Sequence, residues 1–416
     1  MIRRLLRVNL SSGDSKTERI PEGLCEALIG GRGFAIAYLY KELAPHIDPL
    51  GPENRLLFLI GPLAGTQAES SSRWMVATRS PLTGTYARSL AGADFGAWLR
   101  FAGYDGMLVE GRAESPVYLH VTNEGCTINQ AWDLWGMDTR DTRAHLLRRH
   151  GSRTRIACIG PAGERLAKYA AIVSGRRSAS RCGVGAVMGA KNLKAVAITA
   201  RKAIRVFDPE KLKALANEQK SLFKASLPFK HHKEWGTTYT QNVTDALGIF
   251  PVLNFRYGQL SEGWKLFGEE YRKIRTGEFA CYNCSARCGK AHAVTTGPYA
   301  GAASEGPEYE TLWVFSGPIG STSKEATVWA DQRCEDLGLD TISLGSTIGF
   351  AYELYEKGII DRNDADGMEL LYGDHQTMVA LIEKVAKREG FGDILAEGVA
   401  RAARIIGRGA EKQPYT

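Results

Sequence analysis

Three of the chain's eight cysteines, Cys281, Cys284 and Cys288, fall inside one eight-residue stretch, CYNCSARC. The thiolates of three cysteines this close can converge on one soft inorganic centre. A two-residue gap lets a turn aim the first two sulfurs the same way. The three-residue gap brings the third back about one helical turn later. This C-x2-C-x3-C rhythm suits an iron–sulfur cube better than a zinc tetrahedron, which is usually assembled from C-x2-C or Cys/His pairs. Ala280 and Gly289 at the flanks leave room for a bulky cluster. Zinc with His292 as fourth ligand is the alternative, and three unrelated cysteines the bland one.

A chain of 416 residues has the length for two or more domains with sizeable cores. No run approaches the eighteen apolar residues of a membrane span, and MIRRLLRVNLSSGD lacks the apolar core and cleavage site of a signal peptide. A cytoplasmic setting is therefore expected, with the isolated Cys25, Cys126, Cys158, Cys182 and Cys334 reduced. The net charge of +7 is mild and spread along the chain, compatible with an acidic redox partner or an anionic cofactor. No stretch resembles a nucleic-acid-binding module. The 46 glycines concentrate in the first half, which points to turns and close backbone approach to a ligand.

The spacing of apolar residues predicts an α+β chain: a sheet-rich domain over residues 1–205, then a mainly α-helical domain over 206–416. In the first, Leu5–Leu10 and Lys16–Ile20 read as a hairpin about Ser11-Ser12-Gly13-Asp14. A helical stretch at Leu24–Leu43 is interrupted by Gly30-Gly31-Arg32-Gly33. Further strands are expected at Leu56–Ile60, Trp74–Thr78, Met107–Glu110, Val117–Val121, Arg155–Ile159 and Leu193–Ile198, with few long helices. From Asp208, an N-cap followed by Pro209, the period changes to helical. Helices are expected to about Lys224, over Lys324–Leu337, Ser343–Lys357 and His375–Arg388, and, beyond a separating Gly390-Phe391-Gly392, to about Ile406. The closing GRGAEKQPYT shows no final element.

Several stretches have the composition of ligand sites, each with a plainer reading beside it. GPLAGT before Ser70-Ser71-Ser72-Arg73, then RSPLTG and AGADFG, offer glycines and hydroxyls to a phosphate, with Arg73 able to bind it bidentately. Tight strand-end turns have the same composition. Gly183-x-Gly185-x-x-x-Gly189 is one residue too long for a dinucleotide fingerprint, and no acidic ribose ligand follows, so nicotinamide binding is rejected and anion binding retained. Glu305-Gly306-Pro307-Glu308-Tyr309-Glu310 sets carboxylates near the cysteines, fit for proton transfer or for a solvated acidic loop. Glu335-Asp336-Leu337-Gly338-Leu339-Asp340 ends one helix and starts the next. A carboxylate there suits a heterocycle's amino groups or an ordinary cap.

In order along the chain, GPLAGT, SPLTGT, FAGYDGMLVEG, IGPAGE, GVGAVMGAKNLKAVA, the cysteine run, EGPEYE and LGLDTIS resemble the tungsten-containing aldehyde:ferredoxin oxidoreductases, from about residue 4 to about 405. The resemblance implies oxidation of small-molecule aldehydes to carboxylic acids at a tungstopterin (tungsten or molybdenum held by two pterins) beside a 4Fe-4S cluster. Electrons would go to ferredoxin or to an iron–sulfur or flavin partner subunit. It also implies a sheet-based pterin platform followed by helical domains, and a homodimer is among the assemblies it suggests.

Residue by residue, it implies that Arg73 and Gly92 contact the pterin from the platform, with Leu90 standing where the family often has Asn. Arg181, Cys182, Val184 and Gly185 match a second anion-binding loop. Cys281, Cys284 and Cys288 match three cluster ligands, and Glu335, Leu339 and Asp340 a pterin-binding D-x-x-G-L-D motif whose first carboxylate is here Glu. Glu310 matches a proton-handling carboxylate near the metal. Trp329-Ala330-Asp331-Gln332 replaces the E-x-x-H of a bridging metal found in some members, so that metal is not expected. Family members commonly carry a third domain with a further pterin motif, a fourth cluster cysteine and a histidine near the metal. The expectation here is two domains of three. A truncated, non-catalytic cofactor-binding protein and the tungsten subunit of a larger reductase complex are the alternatives.

Overall fold

All five residues of Leu56–Ile60 are buried, because both faces of the sheet to which this strand belongs are covered. The computed structural model describes residues 3–175 and 177–413. They fall into two compact units. The first takes in the chain up to Lys224 together with Cys281–Ser285 and Asp336–Gly338; the second holds Ala225–Ala280, Ala286–Glu335 and the chain from Leu339 on.

The first unit is built from β1 (Arg4–Asn9), β2 (Asp14–Arg19), β3 (Leu56–Ile60), β4 (Trp74–Arg79), β5 (Tyr86–Ala91), β6 (Gly106–Glu110), β7 (Val117–Val121), β8 (Cys126–Gln130), β9 (Arg155–Cys158), β10 (Ile172–Ser174), β11 (Arg177–Ala179) and β12 (Leu193–Ile198). Two six-stranded sheets result, in the orders β2-β1-β6-β3-β4-β5 and β11-β10-β9-β12-β7-β8. Their pairs are antiparallel except β1 with β6 and β7 with β12.

One core lies between the sheets. Leu6, Val8, Phe58, Trp74, Val76, Met107 and Val109 meet Leu119, Val121, Ala157, Val196 and Ile198 there, with Val184, Val187 and Met188 from a short helix. Alternation sends the other set of side chains outward. Leu57, Leu59 and Met75 pack on Phe34, Ala35 and Leu39 of the helix Arg32–Glu42. Tyr118, Ile156 and Ala195 pack on Leu146 of the helix Thr139–His150. Each sheet is thus roofed by one helix.

The strands expected from alternation form, and the interrupted helix near residue 30 is two helices, Glu22–Leu28 and Arg32–Glu42. The first unit goes beyond the sequence reading in β5, β8, the β10–β11 hairpin, the short helices Phe95–Phe101, Pro161–Glu164 and Val184–Ala190, and the helix Thr139–His150. The helix has a net polar sequence (TRDTRAHLLRRH), which hides its thin apolar stripe, while Asp138 caps it by accepting from Asp141 N–H at 2.8 Å.

In the second unit the helix Thr341–Glu356 is the centre, buried from Leu344 to Leu354. Added Cβ atoms at Gly345 and Gly349 would lie 2.5 Å from Val314 and 2.7 Å from Pro318, so both glycines serve close packing. Helices His375–Lys387 and Val399–Ile406 pack nearby, as expected. Phe391 does not merely separate them, since Phe391–Leu395 is a short helix of its own and the break falls at Gly398. The closing stretch forms a single turn at Ala410–Lys412; residues 414–416 lie outside the described residues. A small sheet, β13 (Arg275–Phe279), β14 (Gly289–Ala293) and β15 (Ala303–Ser304), completes the unit. Among the described residues no helix is long and apolar enough to cross a membrane.

The helix Thr139–His150 ends in a titratable pair. The His150 ring stacks on His120 of β7 at 3.9 Å, and its Nε2 lies 3.2 Å from Tyr118 Oη. Burial, then the adjoining His120 and Arg149, push His150 down to about 4. The unfolded chain, near 6.5, therefore binds more protons than the native state between these values, and stability rises with pH across that window. Acidification from pH 6.5 towards 4 is expected to destabilise the chain, and His150→Gln to flatten that slope. Urea unfolding at a series of pH values checks it.

Candidate cofactor site

The β4–β5 pairing sets Trp74 opposite Ala91, which brings Arg73 and Gly92 to the same end of the hairpin. Trp74 Nε1 donates to Gly92 O at 2.9 Å and fixes the chain as it leaves β5. Two residues further in, Ser89 Oγ accepts from Arg181 N–H at 3.0 Å. Arg73 and Gly92 therefore sit at one end of the hairpin, the Arg181 backbone meets β5 further along at Ser89, and both arginines are exposed. Leu90 points outward from this edge strand and is 41% exposed.

The cysteine loop is seated on the same end. Ala93, with φ 59°, donates its N–H to Cys281 Sγ at 3.2 Å. A Cβ on Gly92 would lie only 2.6 Å from that sulfur, so glycine is what admits it. Ser70 Oγ lies 3.2 Å from Cys284 Sγ. Between the thiols, Asn283 adopts φ 47° and donates Nδ2–H to the carbonyls of Gln67 at 2.5 Å and Ala68 at 3.3 Å, while its own carbonyl accepts from Ser70 N–H at 3.2 Å. Ser285 donates both its N–H and its hydroxyl to Glu69 Oε2 at 2.9 Å. Tyr282 presents its ring edge-on to Trp98 and Phe101. Left-handed backbone at a residue with a side chain costs about 1–2 kcal/mol, less for Asn. Two bonds to a carboxylate at ~1.5–3 kcal/mol each are sufficient to offset it.

Sequence reasoning missed Glu69, Asn283 and Tyr282 and assigned Ser70 to a phosphate. The one available signal was an Asn between two cysteines, a residue that tolerates the left-handed turn.

The second glycine-rich loop packs closely against neighbouring backbone. Cys182, with φ 67°, accepts at its carbonyl from Ser80 Oγ at 2.9 Å. Cβ atoms at Gly183, Gly185 and Gly189 would fall 2.0 Å from Lys168 O, 2.4 Å from Ala171 O and 1.9 Å from Gly163 O. Those glycines admit neighbouring backbone, and Val184 and Gly185 are buried. Arg181 and Cys182 keep accessible surface.

The E-x-x-G-L-D motif is divided. Asp336–Gly338 belongs to the first unit. There Gly338 O accepts from Ala171 N–H at 2.8 Å, and Asp336 pairs with Arg140 at 3.1 Å. Glu335, Leu339 and Asp340 belong to the second unit. Asp340 is fully buried and caps the helix Thr341–Glu356, accepting from Ile342 and Ser343 N–H at 3.3 Å and from Ser343 Oγ at 2.5 Å. The capping role weighed for it from sequence is the one its bonds describe.

Elsewhere in the second unit, Glu310 stands exposed in the first turn of the helix Tyr309–Val314. Glu308 before it accepts from Thr237 Oγ1 at 2.5 Å. Asp331 accepts from Ser304 Oγ, and Gln332 Oε1 accepts Ala303 N–H at 2.7 Å, both bracing β15. His292 is buried on β14 with Nδ1 directed at Gly306 O, and burial lowers its pKa. Cys288 also belongs to this unit.

Among the described residues no three His, Cys, Asp or Glu side chains gather around a single ion. A cubane cluster asks for something else, because each thiolate binds a different iron. Cys281 and Cys284 fit that demand: neither is in a disulfide, and each sulfur already faces a polar hydrogen source, Ala93 N–H or the Ser70 hydroxyl. Exposed Arg73 at the hairpin end and exposed Arg181 beside β5 likewise fit the phosphates of a pterin cofactor.

Residues 5–200 match the family described as aldehyde ferredoxin oxidoreductase, N-terminal domain, and residues 213–415 that described as aldehyde ferredoxin oxidoreductase, domains 2 and 3. The chain belongs to the aldehyde ferredoxin oxidoreductase family. It is 41% identical over 414 residues to the tungsten-containing aldehyde ferredoxin oxidoreductase of Pyrococcus furiosus, covering 97% of this chain and 67% of that relative. The same organism's aliphatic sulfonate oxidoreductase, WOR-like subunit, is 33% identical, over 97% of this chain and 67% of its own length. Among solved structures, the active site complex BamBC of benzoyl coenzyme A reductase with 1,5-dienoyl-CoA superposes with a TM-score of 0.86 at 30% identity, covering 99% of this chain and 65% of that one. The chain thus spans about two thirds of the length of these family members.

Gly92→Ala tests the seat of the cysteine loop. The added methyl would lie 2.6 Å from Cys281 Sγ, and overpacking of this kind typically costs about 1–3 kcal/mol. The expected outcome is a lower urea midpoint and reduced iron uptake. Unaltered values for both would mean that the sulfur does not need this glycine.

Proposed function

We propose that this chain forms the pterin platform and cluster-bearing part of an oxidoreductase that converts an aldehyde to a carboxylic acid. Electrons would pass to ferredoxin or to an iron–sulfur or flavin partner subunit. The observation that carries this reading is the seating of Cys281 and Cys284 against Gly92, Ala93 and Ser70, at the end of the hairpin where Arg73 lies, with the Arg181 backbone bonded to Ser89 of the same hairpin. When bound, the metallopterin and the cluster supply the two-electron acceptor and the one-electron relay that no side chain provides.

The chain's own residues supply position and proton handling. Arg73 and Arg181 offer planar guanidinium forks to the phosphates of the cofactor. Gly92 leaves the space in which Cys281 approaches the platform. Cys281, Cys284 and Cys288 are the cluster thiolates of this reading. Oxidation of an aldehyde to the acid, with water as the oxygen source, releases two electrons and two protons, and Glu310, exposed at the start of its helix, is the carboxylate assigned to accept a proton. Glu335 and Leu339 are kept as pterin-side residues on the strength of the family motif. Asp340 acts there through the helix it caps.

A second reading is supported by the benzoyl coenzyme A reductase complex and the sulfonate oxidoreductase subunit among the similar proteins: a tungsten subunit that works only inside a larger assembly. Anaerobic purification with tungsten, molybdenum and iron analysis, followed by viologen reduction with aldehydes, separates the two. Stoichiometric metal with aldehyde-dependent reduction supports the first. Metal binding with turnover only after partner subunits are added supports the second. In the loaded enzyme Glu310→Gln is expected to lower turnover by ~10²-fold or more with metal content unchanged. Undiminished turnover would remove Glu310 from the mechanism.

A further inference from the structure

The segment of residues 66–70 does more than hold the cysteine loop, because one of its side chains touches a sulfur. Ser70 Oγ lies 3.2 Å from Cys284 Sγ. Between a hydroxyl and a thiol either group can donate. Once the sulfur has lost its proton to bind iron, only the hydroxyl has a hydrogen to give, so the bond must run from Ser70 to the sulfur.

The backbone makes this contact deliberate in form. Ser70 adopts φ 55°, a conformation that glycine reaches without the ~1–2 kcal/mol penalty borne by a residue with a Cβ. Its N–H donates to Asn283 O at 3.2 Å, which aims the side chain at the neighbouring Cys284. Cys281 has a comparable donor in Ala93 N–H at 3.2 Å, also from a left-handed residue. Cys281 and Cys284 thus each face a hydrogen-bond donor, one supplied by backbone and one by a side chain.

We propose that Ser70 is a tuning residue for the iron–sulfur centre, its hydroxyl donating to the Cys284 sulfur and raising the reduction potential of the cluster. A donor to a ligating sulfur stabilises the more negative, reduced state more than the oxidised one. No proton leaves the hydroxyl when the cluster takes up an electron, so the effect is electrostatic and independent of turnover. This inference rests on the cluster assignment of the preceding section.

The test uses the full chain prepared anaerobically with iron and sulfide, its cluster potential read by a redox titration monitored by electron paramagnetic resonance. Ser70→Ala removes the hydroxyl. Ser70→Gly removes it and also relieves the left-handed backbone, so a misfolded loop cannot account for its result. Both variants are expected to hold the same iron as the unsubstituted chain but to titrate at a lower potential. At the potential that half-reduces the original cluster, the reduced-to-oxidised ratio should fall about tenfold, which is ~59 mV for a one-electron couple. Ser71→Ala is the control, since that hydroxyl donates to Leu63 O at 3.0 Å and Ala68 O at 2.9 Å and touches no sulfur. Its midpoint should not move. An unmoved midpoint in both Ser70 variants, or an equal shift in Ser71→Ala, overturns the tuning role while leaving the cluster assignment intact. Failure of the unsubstituted chain to take up iron overturns that assignment and the tuning role with it.

Discussion

The hydrogen bonds between residues 66–70 and residues 281–285 are the constraint on which the candidate site depends. They join segments more than two hundred positions apart in sequence, and they do so inside one compact unit. Loop closure over that distance costs entropy that no local propensity offsets. The return comes from charge-assisted bonds to Glu69 and from the fork that Asn283 Nδ2 makes to two carbonyls. Glu69 is itself fixed by Lys220 at 3.6 Å, so the carboxylate that grips the cysteine loop is held from behind.

Everything upstream in the fold serves to make that seat rigid. The β4–β5 hairpin lies at the edge of its sheet, yet Trp74 is fully buried in the inter-sheet core and its indole N–H is spent on Gly92. Core packing against Phe58 and Phe95 thereby sets the position of the Gly92 backbone carbonyl beside Cys281. Left-handed residues with side chains, Ser70, Ala93, Cys182 and Asn283, recur at these loops. Such conformations persist only where the surroundings over-determine them, as the hydrogen bonds here do.

The lysines of the GAKNLKAVA stretch show a different use of a family motif. Lys191 is buried and donates to the carbonyls of Asn54 at 2.6 Å and Gly111 at 2.9 Å, although burial pushes it down to about 7. Lys194 is buried against Glu164 and Met137 O. Both hold chain segments together, and the glycines just before them admit backbone. A motif that reads as ligand-binding from composition is in large part an internal fastening.

Alternation and capping residues determined the α+β class, most of the first unit's strands and the longer helices after residue 208, because those signals are local: Asp208 caps where it stands, and Leu56–Ile60 is apolar because it is buried on both faces. The cysteine spacing, likewise local, picked out the loop that is seated against Gly92, Ala93 and Ser70. Only the tertiary structure decided that Ser70 faces a sulfur, that Asp340 is consumed by its helix and that Gly183, Gly185 and Gly189 pack on protein. Each of those outcomes depends on which distant backbone arrives opposite the residue, and a short motif carries no record of its future neighbours.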